Sequence, residues 1–152
     1  CSMDPASWSG LSGIHLHQGD DEKALPQLME LARIDQSSSD VAKKIAEIIR
    51  RKGNLNEAAY WYRQAIIINP FDTGQHEGLA ATFTQASDYR AALREYDMLT
   101  KLEPTKAAYF ESAAVAALKS GDRDAAQGFA NRAVILNPAS NIAKLLEPTT
   151  AP

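Results

Sequence analysis

The side chains able to do chemistry in this chain are few and poorly spaced for it. His15 and His17 lie two apart, so on a helix they point to different faces and cannot close on one metal ion. Cys1 is the only cysteine, with no base positioned beside it. No HExxH, CxxC, phosphate-binding loop or dinucleotide glycine fingerprint occurs. The expectation is a protein that is no enzyme and needs no metal or cofactor. What remains is recognition chemistry. Arg50, Arg51 and Lys52 form a cationic run at a helix end, where the helix dipole favours them even with no ligand. Tyr60, Trp61 and Tyr62 form an aromatic run, within which Trp61 is a candidate anchor for a partner. Its plainer reading is local packing between helices.

These side chains must be held by something, and the chain carries a ruler. Pro70, Pro104 and Pro138 stand 34 residues apart, and so do Ala24, Ala58, Ala92 and Ala126. Gly19, Gly53 and Gly121 keep the same register, with Ser87 where a fourth glycine would fall. A stack of two-helix units explains this, because each unit buries its apolar face only against its neighbours. The 152 residues suit about four such units. A net charge of −3 with both signs mixed builds no continuous positive field, so nucleic acid is not an expected partner. No apolar run approaches the roughly 20 residues of a membrane-spanning helix.

Within the second unit, Ser39 is expected to cap a helix running to about Lys52, with Ala42, Ile45, Ala46 and Ile49 along one stripe. Gly53 ends it in the left-handed conformation. Asn54 caps the next helix and Glu57 is placed for a reciprocal capping box. Ala58, Tyr62 and Ala65 face inward before Pro70. The third unit repeats the plan over about 74–86 and 89–101, and the fourth carries Phe110, Ala113, Ala114 and Ala117, then Ala126, Ala130 and Ala133. Unit one is the loosest copy. Asp4, Pro5, Trp8 and Leu11 open it, and Pro26 falls inside its second helix, where it removes a hydrogen bond and favours a kink. Residues 141–147 read as a short capping helix.

This pattern resembles the tetratricopeptide repeat family, whose signature is an aromatic, leucine-glycine and tyrosine in the first helix, then alanine, an aromatic and proline in the second. Trp8 and Leu11 match it in unit one, and Ala58, Tyr62, Ala65 and Pro70 in unit two. Ala92, Tyr96 and Pro104 match in unit three, and Ala126, Ala133 and Pro138 in unit four. His76 takes the first-helix aromatic place of unit three. Ser12 and alanines replace the glycine, His15 the tyrosine, Leu99 an alanine and Ala130 an aromatic. The resemblance implies an all-α, right-handed α-solenoid with repeats at 5–38, 39–72, 73–106 and 107–140, a partial cap at 141–147, a leader at 1–4 and a tail at 148–152.

The family's binding positions imply a concave groove lined by first helices. In unit one these are Ser9, Gly13, Leu16 and His17, and in unit two Asp40, Lys43, Glu47, Arg50 and Arg51. Unit three supplies Glu77, Ala81, Thr84 and Gln85, and unit four Glu111, Val115, Leu118 and Lys119. Such a groove is basic near Lys43, Arg50 and Arg51 and apolar near Val115 and Leu118, which suits a partner with acidic and apolar anchors. The family's terminal-carboxylate clamp is disfavoured, since Glu47 and Ala81 stand where asparagine would.

The resulting expectation is a protein-binding scaffold for a peptide or domain. One alternative is a structural or oligomerisation region of a larger bacterial enzyme, since Arg94-Glu95-Tyr96 and the Gly19-Asp20 and Gly121-Asp122 turns faintly resemble repeats of secreted peptidase-like proteins. Another is a lipid-anchored periplasmic adaptor. Cys1 resembles the lipid-bearing residue of a bacterial lipoprotein, against which Cys1-Ser2-Met3 also reads as a cloning remnant. Localisation stays open between periplasm, secretion and cytoplasm.

Overall fold

The computed structural model describes residues 10, 12–14 and 20–146. The expectations placed on Cys1, Asp4, Pro5, Trp8, Ser9, Leu11, His15, Leu16, His17, Gly19 and Pro148 lie outside them. In order, the helices are α1 (Asp21–Ile34), α2 (Ser39–Arg51), α3 (Leu55–Ile68), α4 (Thr73–Gln85), α5 (Tyr89–Leu102), α6 (Ala107–Ser120) and α7 (Arg123–Leu136), followed by a 3₁₀ turn at Ile142–Leu145. No strand occurs among the described residues.

One turn chemistry recurs on the 34-residue ruler. The side chains of Asp20, Asn54, Asp88 and Asp122 accept from the amides of Lys23, Glu57, Ala91 and Ala125, starting α1, α3, α5 and α7. Ahead of the last three caps sit Gly53, Ser87 and Gly121, at φ +86°, +60° and +88°. In each of these turns the cap residue's own N–H reaches five residues back, to the carbonyl of Ile49, Phe83 or Ala117. That is the paired ending which satisfies the last carbonyls of a helix. It also corrects the expected capping box. The Asn54 N–H is committed to Ile49, so Glu57 is held by the Asn54 side-chain amide instead, at 2.6 Å.

Two other sequence expectations shift slightly. The cap of α2 is Ser38, one residue before the expected Ser39, and it accepts from the Val41 amide. Helix α1 continues through Pro26. The carbonyl left without a donor belongs to Glu22, an exposed residue that water can serve.

The chain divides into two units, residues 1–78 and 79–152. In the first, α2 packs on α1 and α3. Its core joins Ala24, Leu28 and Leu31 of α1 to Val41, Ile45, Ile48 and Ile49 of α2 and Ala58 of α3. In the second, α6 packs on α5 and α7, and the 3₁₀ turn packs on α7. Alanine dominates this core through Ala114, Ala117, Ala126, Ala130 and Ala133, with Phe110 among them. The expected capping helix is a single 3₁₀ turn. It nonetheless closes the core, because Ile142 and Leu146 are both buried and Arg123 donates to the Leu146 carbonyl at 3.0 Å.

Candidate peptide-binding cleft

Glu111, Val115 and Lys119 are spaced by four along α6, which makes them one stripe of that helix. In the second unit this stripe lines a cleft of about 430 Å³, together with Thr84 of α4, Tyr89 and Tyr96 of α5, and Ser140, Asn141, Ile142 and Leu145 around the 3₁₀ turn. Val115, Ala116, Ile142 and Leu145 supply apolar surface, and the two tyrosines add rings with a polar end. Lys119 holds its ammonium 4.8 Å from the centre of the Tyr89 ring. A hydrogen bond with the Ser87 side chain, followed by the charge of Lys119, draws the Tyr89 hydroxyl below its ordinary pKa. Glu111 has no ion-pair partner among the described residues, while the Thr84 hydroxyl is already spent on the Ala80 carbonyl, 2.8 Å away. The cleft therefore offers an apolar floor between a cation and a carboxylate.

Four residues expected from sequence, Thr84, Glu111, Val115 and Lys119, thus meet around one cavity. Leu118 does not join them. It is half-buried against the core cluster of α6 and α7 and does not line the cleft. Gln85 is exposed beside Thr84 without lining the cleft. Tyr89, Tyr96 and the turn residues escaped sequence reasoning. The two tyrosines sit on a second helix, and the turn was expected only to cap the core.

In the first unit, the cationic run is engaged within the protein. Arg51 makes a bidentate contact with Asp21 of α1, at 2.9 and 2.7 Å. The Lys43 ammonium is 4.0 Å from Asp72, and it lies close enough to Gly74 that a β-carbon there would press on it. Arg50 is half-buried beside the Tyr62 hydroxyl, and its Nε is buried without a hydrogen-bond partner. Glu47 is half-buried near the same groups, and Glu77 is exposed on α4. His76 is 4% exposed, with Nε2 3.0 Å from the Pro70 carbonyl oxygen, which suits a satisfied core histidine.

Trp61 is half-buried against the first unit's core and meets Tyr60 edge-on, with centroids 5.6 Å apart. Among the described residues, no group of three or more His, Cys, Asp or Glu gathers as a metal site. No described helix is long and apolar enough to cross a membrane.

No protein-family model matches the sequence, and no curated protein matches it either. Solved structures do resemble it. MamA from Desulfovibrio magneticus RS-1 is 18% identical, with 96% of this chain and 84% of that one covered at a TM-score of 0.79. YrrB, described as a TPR protein with an unusual peptide-binding site, is 16% identical over 93% and 73%, at 0.76. A tetratricopeptide repeat protein of Parabacteroides merdae is 19% identical over 93% and 57%, at 0.80. At these identities the likeness is one of fold, and the fold is the tetratricopeptide solenoid.

Proposed function

We propose that this chain is a protein-interaction scaffold, and that its second unit seats a segment of the partner. The observation that carries this reading is the cleft between the Glu111–Val115–Lys119 stripe, the Tyr89 and Tyr96 rings and the 3₁₀ turn. A leucine- or phenylalanine-sized side chain suits the floor at Val115 and Ile142. A neighbouring carboxylate of the partner would meet Lys119, and a basic group would meet Glu111. That a structural neighbour is described by its own peptide-binding site agrees with this use of the fold.

The first unit's Lys43, Glu47, Arg50, Arg51 and Glu77 form a weaker surface on this reading. An acidic partner there must displace Asp21 from Arg51 and Asp72 from Lys43 before it gains anything. The test is fluorescence anisotropy against blocked peptides that pair leucine or phenylalanine with aspartate. Val115→Glu and Lys119→Glu should each abolish binding, the lysine variant with melting unchanged, whereas Arg50→Ala/Arg51→Ala should weaken it little. Binding indifferent to Val115→Glu and Lys119→Glu, but lost in the arginine variant, would move the site to the first unit.

A second reading, a structural or oligomerisation role, draws on Ile67, Phe71 and Ile135, whose exposures are 74, 78 and 69%. Concentration-dependent self-association removed by Phe71→Ser would favour it.

A further inference from the structure

The 34-residue register places Ala42, His76 and Phe110 at one position of three successive repeats. All three are buried, and two of them bear rings. Phe110 packs on Phe129, with centroids 6.5 Å apart and planes at 52°, and His76 is tied to the Pro70 carbonyl. The third is an alanine. Counting 68 residues back from Phe129 gives Trp61, so the register sets a ring against Phe129 and a methyl group in the matching place near Trp61, whose ring neighbour is instead Tyr60 on its own helix.

The structure shows the result as open space. A cleft of about 390 Å³ lies in the first unit between the end of α1, the start of α2 and the outer half of α3. Ala42 and Trp61 line it, and Tyr60, Ile67 and Ile68 line it from α3, with exposures of 53, 74 and 38% for those three. The cleft is open at the surface, with apolar wall from Ala42, Trp61, Ile67 and Ile68 and polar wall from Asp35, Gln36, Ser38 and Gln64, so it can seat a side chain that carries both characters.

We propose that this vacant aromatic position is a docking site for an aromatic side chain of a partner protein, carried next to a lysine or arginine. The ring would give Trp61 a second aromatic neighbour besides Tyr60, on the side where the register sets Phe110 against Phe129, a pairing that aromatic side chains favour beyond the area they bury. The charge preference comes from Asp35, the one charged residue lining the cleft. Both bonds from Ser37, from its amide at 2.9 Å and its hydroxyl at 2.6 Å, fall on Oδ1. Its Oδ2 accepts no bond among the described residues, and no basic side chain lines the cleft to neutralise it. This site is separate from the cleft of the second unit and stands or falls independently of it.

The test is a titration of the full chain with the blocked peptide Ac-Gly-Arg-Phe-Gly-NH2, followed by NMR at the Trp61 indole N–H and the Gln64 side-chain amide, which also lines the cleft. Millimolar peptide should shift both signals, while Ac-Gly-Arg-Ala-Gly-NH2 should shift neither. Asp35→Asn should weaken the arginine peptide roughly threefold and leave Ac-Gly-Gln-Phe-Gly-NH2 unchanged. Ala42→Phe fills the seat from within and should raise the melting temperature while removing the response. If that variant fails to fold, Ala42→Leu serves the same purpose. Equal shifts with the alanine peptide would overturn the proposal, as would unaltered binding to a folded, filled variant. So would a dimer that protects the Trp61 signal and dissolves on Phe71→Ser, since a second copy would then be the occupant.

Discussion

The ring of Tyr62 on α3 occupies the space that a β-carbon on Gly78 of α4 would need: such a carbon would overlap the ring edge and the hydroxyl. Tyr62 is 1% exposed, so it has nowhere to retreat. Glycine in mid-helix gives up about 1 kcal/mol of propensity relative to alanine, yet here the close approach decides the sign. Gly78→Ala should destabilise by about 1–3 kcal/mol, as overpacking of a filled core does. In a Tyr62→Leu background the same substitution should lose most of that penalty. Urea denaturation of the four variants gives the coupling directly, and additive effects would show that the ring and the glycine do not constrain each other.

Turn positions 53, 87 and 121 provide a second check. Gly53→Ala and Gly121→Ala place a β-carbon at φ +86° and +88°, with open space around it, so the backbone alone sets the effect. Each should lower stability by about 1 kcal/mol in denaturant titration. Ser87→Gly should not. It relieves a non-glycine residue at φ +60° and gives up only its bond to Tyr89, two terms of similar size and opposite sign.

The helix pairs were legible in the sequence because caps, turns and prolines are local chemistry read off at a fixed interval. Asn54, Asp88 and Asp122 each need only their own next three residues to start a helix. The candidate site was legible only on first helices, through Thr84 of α4 and the stripe of α6. Positions 111, 115 and 119 share a stripe by periodicity alone, but Tyr89, Tyr96 and Ile142 reach the same cleft from other elements, at distances along the chain that no periodicity encodes. The bond from Arg51 to Asp21 is similar. Arg51 reads from sequence as a groove cation or a helix-end charge, Asp21 carries no expectation, and only the packing of α2 on α1 brings them within 2.7 Å. The alanine at 42 was on view in the register, yet an alanine in a helix reads as ordinary until Trp61 and Tyr60 are seen lining a cleft with it.

The tyrosines should separate in an alkaline titration. Burial pushes the Tyr62 hydroxyl above the ordinary value of 10.0, with Arg50 partly opposing it. The Ser87 bond and then Lys119 pull Tyr89 below that value. Absorbance at the phenolate band, compared among wild type, Tyr62→Phe and Tyr89→Phe, should show Tyr89 ionising early and Tyr62 late. The sign for stability follows. Because the folded protein holds the Tyr62 proton more tightly than the unfolded chain, the stability linked to Tyr62 is full below pH 10 and is lost as pH rises through its folded pKa. Tyr62→Phe should flatten that alkaline decline, and an unchanged slope would assign it to other groups.

The last two buried side chains of the described chain test whether the 3₁₀ turn is a cap or an appendage. Ile142 and Leu146 are each 7% exposed and belong to the same core cluster as Ala126, Ala130 and Ala133. An alanine-rich pair of helices leaves shallow apolar surface, and these two large side chains cover it. Replacing either by alanine should destabilise the second unit by about 2–3 kcal/mol, toward the lower end for large-to-small core changes because the site is near the surface and can collapse. Arg123→Gln should act in the same direction but more weakly, since it removes only the bond to the Leu146 carbonyl. Amide exchange should report the loss in α6 and α7, with α1 and α2 of the first unit unaffected. The cleft should respond too, because Ile142 forms part of its wall. Leu145→Ala is the control: that side chain is 59% exposed yet lines the cleft, so it should weaken peptide binding while leaving exchange in α7 as it was. Equal effects of Leu145→Ala and Leu146→Ala on exchange would mean that the turn packs as a loose flap, and that the cleft has no fixed wall on that side.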